Sequence, residues 1–247
     1  MRYLTRIVAA ACLCIAVIAP AIAADDVEPI TLKAADGMVI HGVYYKAPHP
    51  KALILLFHQA GSGKGEYASI APRLVSAGYS AMAIDQRSGG ELFGTNETVA
   101  ALPKSAGYLE AKPDLEAALA WGAAQKLPIA IWGSSYSSSL VFVVAAEHPD
   151  MVKAVLAFSP GEYFDDKTMI GSAAKKVTVP VFVTSANSPD EINAARAIIS
   201  QSPSATKVQY IPKSGGVHGS STLLPVRNQA GAEANWTAVL QFLGKVF

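Results

Sequence analysis

An α/β domain built on a mostly parallel sheet, with helices on both faces and an N-terminal β-hairpin, is the fold class this sequence predicts. Two observations predict it. Short continuous apolar runs, of the kind buried on both faces of a parallel sheet, alternate with helix-length segments along almost the whole chain. No internal repeat or linker interrupts that alternation, so residues 24–247 read as a single domain.

The elements follow in order. Residues 30–33 and 39–46 alternate apolar and polar about Asp36-Gly37, which reads as a hairpin with a D-G turn. Ala-Leu-Ile-Leu-Leu-Phe at 52–57 is the first buried strand. Residues 66–77 read as a helix stopped by Gly78, and Ser80–Ile84 as the next strand. The stretch 86–112, rich in Gly, Ser, Thr and Asn, reads as an excursion over the sheet edge. A helix over Asp114–Ala124 is opened by Pro113. Strands at Ile129–Trp132, Lys153–Phe158, Val179–Thr184 and Lys207–Ile211 then alternate with helices at Ser135–Glu147, Asp190–Ile199 and Glu233–Leu243.

Ahead of the hairpin, Arg2 and Arg6 precede an apolar run at residues 7–19. Ala21-Ile22-Ala23 supplies an A-x-A cleavage site. This reads as a secretory signal peptide over residues 1–23, which places the protein in the periplasm or outside the cell. The run is short for a bilayer span of roughly 20 residues. Cleavage would remove both cysteines, Cys12 and Cys14, and two of the 20 basic residues, against 19 acidic ones. No thiol chemistry, disulfide or Cys-based metal site is then expected.

Composition excludes further classes. Hydrophobic residues make up 51% and charged ones 16%, which rules out intrinsic disorder. Net charge is +1 with no basic run, so a broad cationic face for nucleic acid is not expected. The five histidines form no H-x-x-x-H or H-E-x-x-H pattern, so no metal is expected. Gly61-Ser62-Gly63-Lys64-Gly65 fails as a phosphate loop, because Lys64 is followed by Gly rather than Ser or Thr.

The chemistry concentrates where a strand meets a helix, at Trp132-Gly133-Ser134-Ser135-Tyr136-Ser137. A nucleophile on a sharp strand-to-helix turn needs small residues two before and two after it. Gly133 and Ser137 supply them around Ser135; Ser137 is itself formally a second candidate. A serine hydroxyl needs a general base, and His218 lies in a loop after the last strand and before the last helix. On these residues the chain resembles the α/β-hydrolase superfamily, and is most similar to small dienelactone-hydrolase-like serine esterases. The likeness covers nearly all of residues 24–247. The family motif G-x-S-x-G ends here in Ser137.

The resemblance implies further roles. His58-Gln59-Ala60-Gly61 is similar to the family's H-G-x-G loop, with Gln59 in place of Gly. It implies oxyanion-hole donors from the Gln59–Ala60 turn and from Tyr136. Asp85-Gln86-Arg87-Ser88-Gly89-Gly90 resembles the D-x-R-G-x-G turn, whose role is structural. The family takes its triad acid from the loop after the penultimate strand. Its common G-x-x-D spacing falls on Ser188, so Asp190 is read as the acid by chain order, with Glu191 and Glu162 as alternatives.

The expectation is therefore an exported hydrolase of small carboxylic esters, using Ser135, His218 and Asp190, without cofactor. The stretch 86–112 is too polar for a long-chain lipid pocket, so short acyl groups are expected. The alternatives are a catalytically inactive binding module and a small serine peptidase.

Overall fold

The computed structural model describes residues 26–247; the leader read at 1–23 lies outside them. Eight strands form one sheet: β1 (Val27–Lys33), β2 (Val39–Tyr45), β3 (Leu53–Phe57), β4 (Ser80–Ile84), β5 (Ile129–Ser134), β6 (Val152–Phe158), β7 (Val181–Thr184) and β8 (Lys207–Tyr210). Their spatial order is β1-β2-β4-β3-β5-β6-β7-β8. The strands from β3 to β8 run parallel. The β1–β2 hairpin adds antiparallel to β4 at one edge. Its turn closes with Gly37 at φ 88°, a conformation glycine adopts without a Cβ penalty.

Among the described residues, seven α-helices cover the sheet: α1 (Ile70–Ser76), α2 (Glu97–Ala100), α3 (Lys112–Ala124), α4 (Tyr136–Glu147), α5 (Met169–Ala174), α6 (Pro189–Gln201) and α7 (Ala232–Val246). Strand alternation splits the core into two layers. Leu53, Leu55 and Phe57 pack with α3 and α4 on one face. Ile54 and Leu56 pack with α1 and α7 on the other, along with Trp132, Phe158 and Phe182. Both faces are buried, which is why these strands read as continuous apolar runs.

Two boundaries differ from the sequence reading for physical reasons. The expected helix at 66–77 is a 3₁₀ turn, Lys64–Tyr67, followed by α1. Pro72 has no N–H to donate and is tolerated only in a helix's first turn, so α1 begins just before it. The seventh strand starts at Val181 because Pro180 has no N–H for the ladder.

The turn at Asp85-Gln86-Arg87 is structural, as read. The buried Asp114 carboxylate accepts Arg87 N–H at 2.8 Å, Nε at 2.9 Å and Nη2 at 2.7 Å. Asp85 accepts Lys64 N–H at 2.7 Å and Lys64 Nζ at 2.6 Å. Among the described residues no helix is long and apolar enough to cross a membrane.

Candidate active site

The parallel strands end along one edge of the sheet, and the crevice beyond those ends is where α/β folds place their chemistry. Ser135 sits there between β5 and α4, at φ 59° and ψ −126°. That is a strained conformation for a residue with a Cβ, and such strain clusters at functional sites. It pushes the side chain out of the turn while the residue stays 8% exposed. Gly133 makes the turn possible: a Cβ there would lie 2.3 Å from the Ser137 carbonyl oxygen. Ser137 is fully buried; its hydroxyl accepts Ser134 N–H at 2.9 Å and donates to the Phe57 carbonyl at 2.7 Å. It ties the turn to the end of β3 and is shielded from any substrate.

His218 Nε2 lies 2.8 Å from Ser135 Oγ. Its other ring nitrogen, Nδ1, lies 3.0 Å from Glu191 Oε1. The structure thus brings Ser135 and His218 together as the sequence reading expected, but the carboxylate that joins them is Glu191. Asp190 faces solvent. The reason is helical phase. With Ser188 at the N-cap, Asp190 is the second residue of α6 and Glu191 the third. The third residue of a helix reaches back toward the chain that enters it. Glu191 Oε2 accordingly accepts Ala186 N–H at 3.0 Å. Ser188-Pro189-Asp190-Glu191 fits the S-x-x-E capping pattern, and that signal singles out Glu191 in the sequence.

Burial raises the Glu191 pKa, but hydrogen bonds from His218, Ser159 and Ala186 N–H outweigh it and hold the carboxyl at about 2. It is ionised whenever His218 works. Glu162, the third candidate, lies elsewhere: its carboxylate accepts Ile170 N–H at 2.9 Å and Gly171 N–H at 2.8 Å, in the first turn of α5. The Tyr163 hydroxyl donates to the Ser159 carbonyl at 2.7 Å and borders Ser135.

The expected oxyanion loop divides unevenly. Gln59 N–H donates to Glu66 Oε2 at 2.8 Å and is not available to a substrate. The Gln59 carbonyl accepts His58 Nδ1–H at 2.8 Å. His58 Nε2 accepts Gln86 N–H at 2.8 Å, which fixes the proton on Nδ1. Burial drops the His58 pKa to about 4, so the ring is neutral. A trans peptide points its C=O and N–H in opposite directions. Ala60 N–H therefore faces away from His58, and it donates to no protein acceptor among the described residues. Tyr136 opens α4, so its N–H has no carbonyl one turn earlier to bond. These two donors, Ala60 and Tyr136, are the ones left over.

Beside His218 opens a cavity of about 330 Å³ lined by Gln59, Val217, His218, Ser221 and Arg227. Arg227 stacks over the Phe93 ring at 4.7 Å. Tyr108 stacks on Tyr136 at 4.5 Å. A larger cavity, about 450 Å³, lies between α5 and α6 and contains none of Ser135, His218 or Glu191. Among the described residues, Glu116, Glu147 and His148 are the acidic and histidine side chains close enough to share a metal ion. Lys112 Nζ already bridges the two carboxylates there, at 3.0 and 2.6 Å.

A family model described as serine aminopeptidase, S33, matches residues 48–207. The chain belongs to that hydrolase family. Solved structures agree with this on the α/β-hydrolase fold. A dienelactone hydrolase from Anabaena variabilis shares 18% identity over 90% of this chain and 97% of its own, with a TM-score of 0.67. A cold-adapted esterase from an Arctic intertidal metagenomic library shares 21% over 90% and 94%, TM-score 0.67. An esterase of Pyrococcus furiosus shares 14% over 89% and 91%, TM-score 0.64. No curated protein matches the sequence.

Proposed function

We propose that this member of the S33 family is a serine hydrolase of small carboxylic esters. The observation that carries the reading is the unbroken hydrogen-bond chain from Ser135 Oγ through His218 to Glu191. In this reading Ser135 Oγ attacks the ester carbonyl and gives its proton to His218 Nε2. Glu191, ionised, keeps the other imidazole proton on Nδ1 and stabilises the imidazolium that forms. The imidazolium then protonates the leaving alcohol. Water attacks the acyl-enzyme by the same route in reverse. Ala60 and Tyr136 N–H groups stabilise the oxyanion, each donor contributing about 3 kcal/mol in such sites.

The family is one of serine aminopeptidases, and the three similar structures are a dienelactone hydrolase and two esterases. The cavity beside His218 favours the ester reading. An aminopeptidase must hold a protonated amine, which calls for a carboxylate. The residues lining the cavity beside His218 offer the Arg227 guanidinium instead. An amine is repelled there and a neutral ester is not. The leader read at residues 1–23 supports an exported enzyme.

The test compares p-nitrophenyl acetate and butyrate with aminoacyl p-nitroanilides. Hydrolysis of the esters that disappears in Ser135→Ala supports the reading. Turnover confined to the anilides would replace it with the peptidase, and no turnover of either would favour a binding module.

A further inference from the structure

Glu66 has no place in the triad, and the sequence reading passed over it. It lies in the 3₁₀ turn after the oxyanion loop and is 1% exposed. Burial lifts its carboxyl to about 7, so it is ionised above that pH; it then has only acceptors to offer, and each of its oxygens meets a donor. Oε2 accepts Gln59 N–H at 2.8 Å. Oε1 accepts the Ser134 hydroxyl at 2.7 Å. The Ser134 oxygen in turn accepts Ser220 N–H at 2.8 Å.

The three groups gathered in this way belong to three separate segments, the oxyanion loop, the end of β5 and the turn after His218. Gln59 precedes Ala60, Ser134 precedes Ser135, and Ser220 follows His218 by two residues. The crossing is tight. Gly219, at φ 66°, passes so close that a Cβ would lie 2.5 Å from Ser134 Oγ and 3.0 Å from Gln59 Oε1. With Gln59 N–H anchored on Glu66 and the Gln59 carbonyl anchored on His58, the peptide that carries Ala60 N–H cannot rotate.

We propose that Glu66 is a positioning residue for the reaction proposed above, holding the oxyanion loop, the nucleophile turn and the histidine loop in one fixed arrangement. It touches no substrate. It acts by keeping Ala60 N–H, Ser135 Oγ and His218 Nε2 aimed at one point. The inference rests on the esterase reading.

Glu66→Gln is the informative variant, because it keeps the volume and changes the chemistry. An amide oxygen can still accept Gln59 N–H, but its NH₂ then faces Ser134 Oγ. That oxygen already accepts Ser220 N–H, and the Ser134 hydroxyl proton loses its acceptor. Rates are expressed per active site titrated with a fluorophosphonate, so that the folded fraction cancels. kcat for p-nitrophenyl butyrate is expected to fall about 10- to 100-fold, less than or equal to the loss of a whole oxyanion donor. KM should stay within about threefold, because the lost interaction belongs to the transition state. Affinity for a trifluoromethyl ketone, which forms the tetrahedral oxyanion, should fall by the same factor as kcat/KM. A kcat per site equal to that of wild type, or a loss confined to KM, would overturn the proposal. Should Glu66→Gln fail to fold, Ser134→Ala carries the test, with a kcat loss of about tenfold expected and wild-type kcat per site overturning it. A wild-type protein that hydrolyses no ester would overturn the esterase reading itself, a result distinct from an active wild type with an unaffected variant.

Discussion

Glu191 Oε1 lies 3.0 Å from His218 Nδ1, while Asp190, one residue earlier, faces solvent. Neighbouring residues on a helix point about 100° apart, so only one of two adjacent carboxylates can meet a given histidine.

Glu191→Gln should therefore cut kcat strongly, by up to about 10⁴ where the imidazole tautomer is lost. Asp190→Asn and Glu162→Gln should each cost less than about tenfold. Steady-state kinetics of the three variants check this. A large loss in Asp190→Asn with a small one in Glu191→Gln would reverse the assignment.

Stability should depend on pH through two buried groups of opposite sign. Burial lifts the Glu66 carboxyl from 4.5 to about 7. The folded state then binds that proton more tightly than the unfolded chain, so stability falls by roughly 3 kcal/mol as pH rises from about 4.5 to 7. Burial drops His58 from 6.5 to about 4. There the unfolded chain binds the proton more tightly, so stability grows by roughly 3 kcal/mol as pH rises from about 4 to 6.5. The two offset in wild type. In Glu66→Gln only the rising contribution remains, so urea denaturation should show stability climbing by roughly 2–3 kcal/mol between pH 4.5 and 6.5. A variant as level as wild type across that window would contradict it. Glu191, held near 2, adds stability that is complete above about pH 4.5 and is lost as pH falls toward 2.

Strain at Ser135 should be measurable as stability. Ser135→Gly and Ser135→Ala both lack the hydroxyl, but only glycine takes φ 59° without a Cβ penalty. The glycine variant should be more stable than the alanine variant by about 1 kcal/mol, or roughly 2–4 °C in Tm, with both inactive. Equal melting temperatures would show that the turn stores no strain.

Acetyl and butyryl esters should be turned over faster than palmitoyl esters. The cavity beside His218, about 330 Å³, is at the small end for ligand sites, which run from roughly 300 to 1,000 Å³. A panel of p-nitrophenyl esters of graded chain length tests this, and a rate that climbs with chain length would contradict it.

The parallel strands were legible in the sequence because burial on both faces leaves uninterrupted apolar runs such as 52–57. Ser135 and His218 were legible because each stands at a distinctive junction, one between strand and helix and one between the last strand and last helix. Glu191 was harder. Chain order leads to Asp190, the first carboxylate of the loop, and only the helical phase set by Ser188 and Pro189 turns Glu191 rather than Asp190 toward His218. Glu66 was invisible for a different reason. An acidic residue at the head of an amphipathic segment reads as a solvated helix start, and its burial depends on three segments that meet only in the folded chain. Gln59 likewise matched the oxyanion loop in sequence, while its N–H turned out to be engaged by that same Glu66.

Peptide mapping after exposure to a fluorophosphonate shows which serine is the nucleophile and which carboxylate supports it. One adduct is expected, on Ser135, formed at the wild-type rate in Asp190→Asn, far more slowly in Glu191→Gln, and absent in Ser135→Ala. An adduct on another serine, or labelling undiminished in Ser135→Ala, would contradict it.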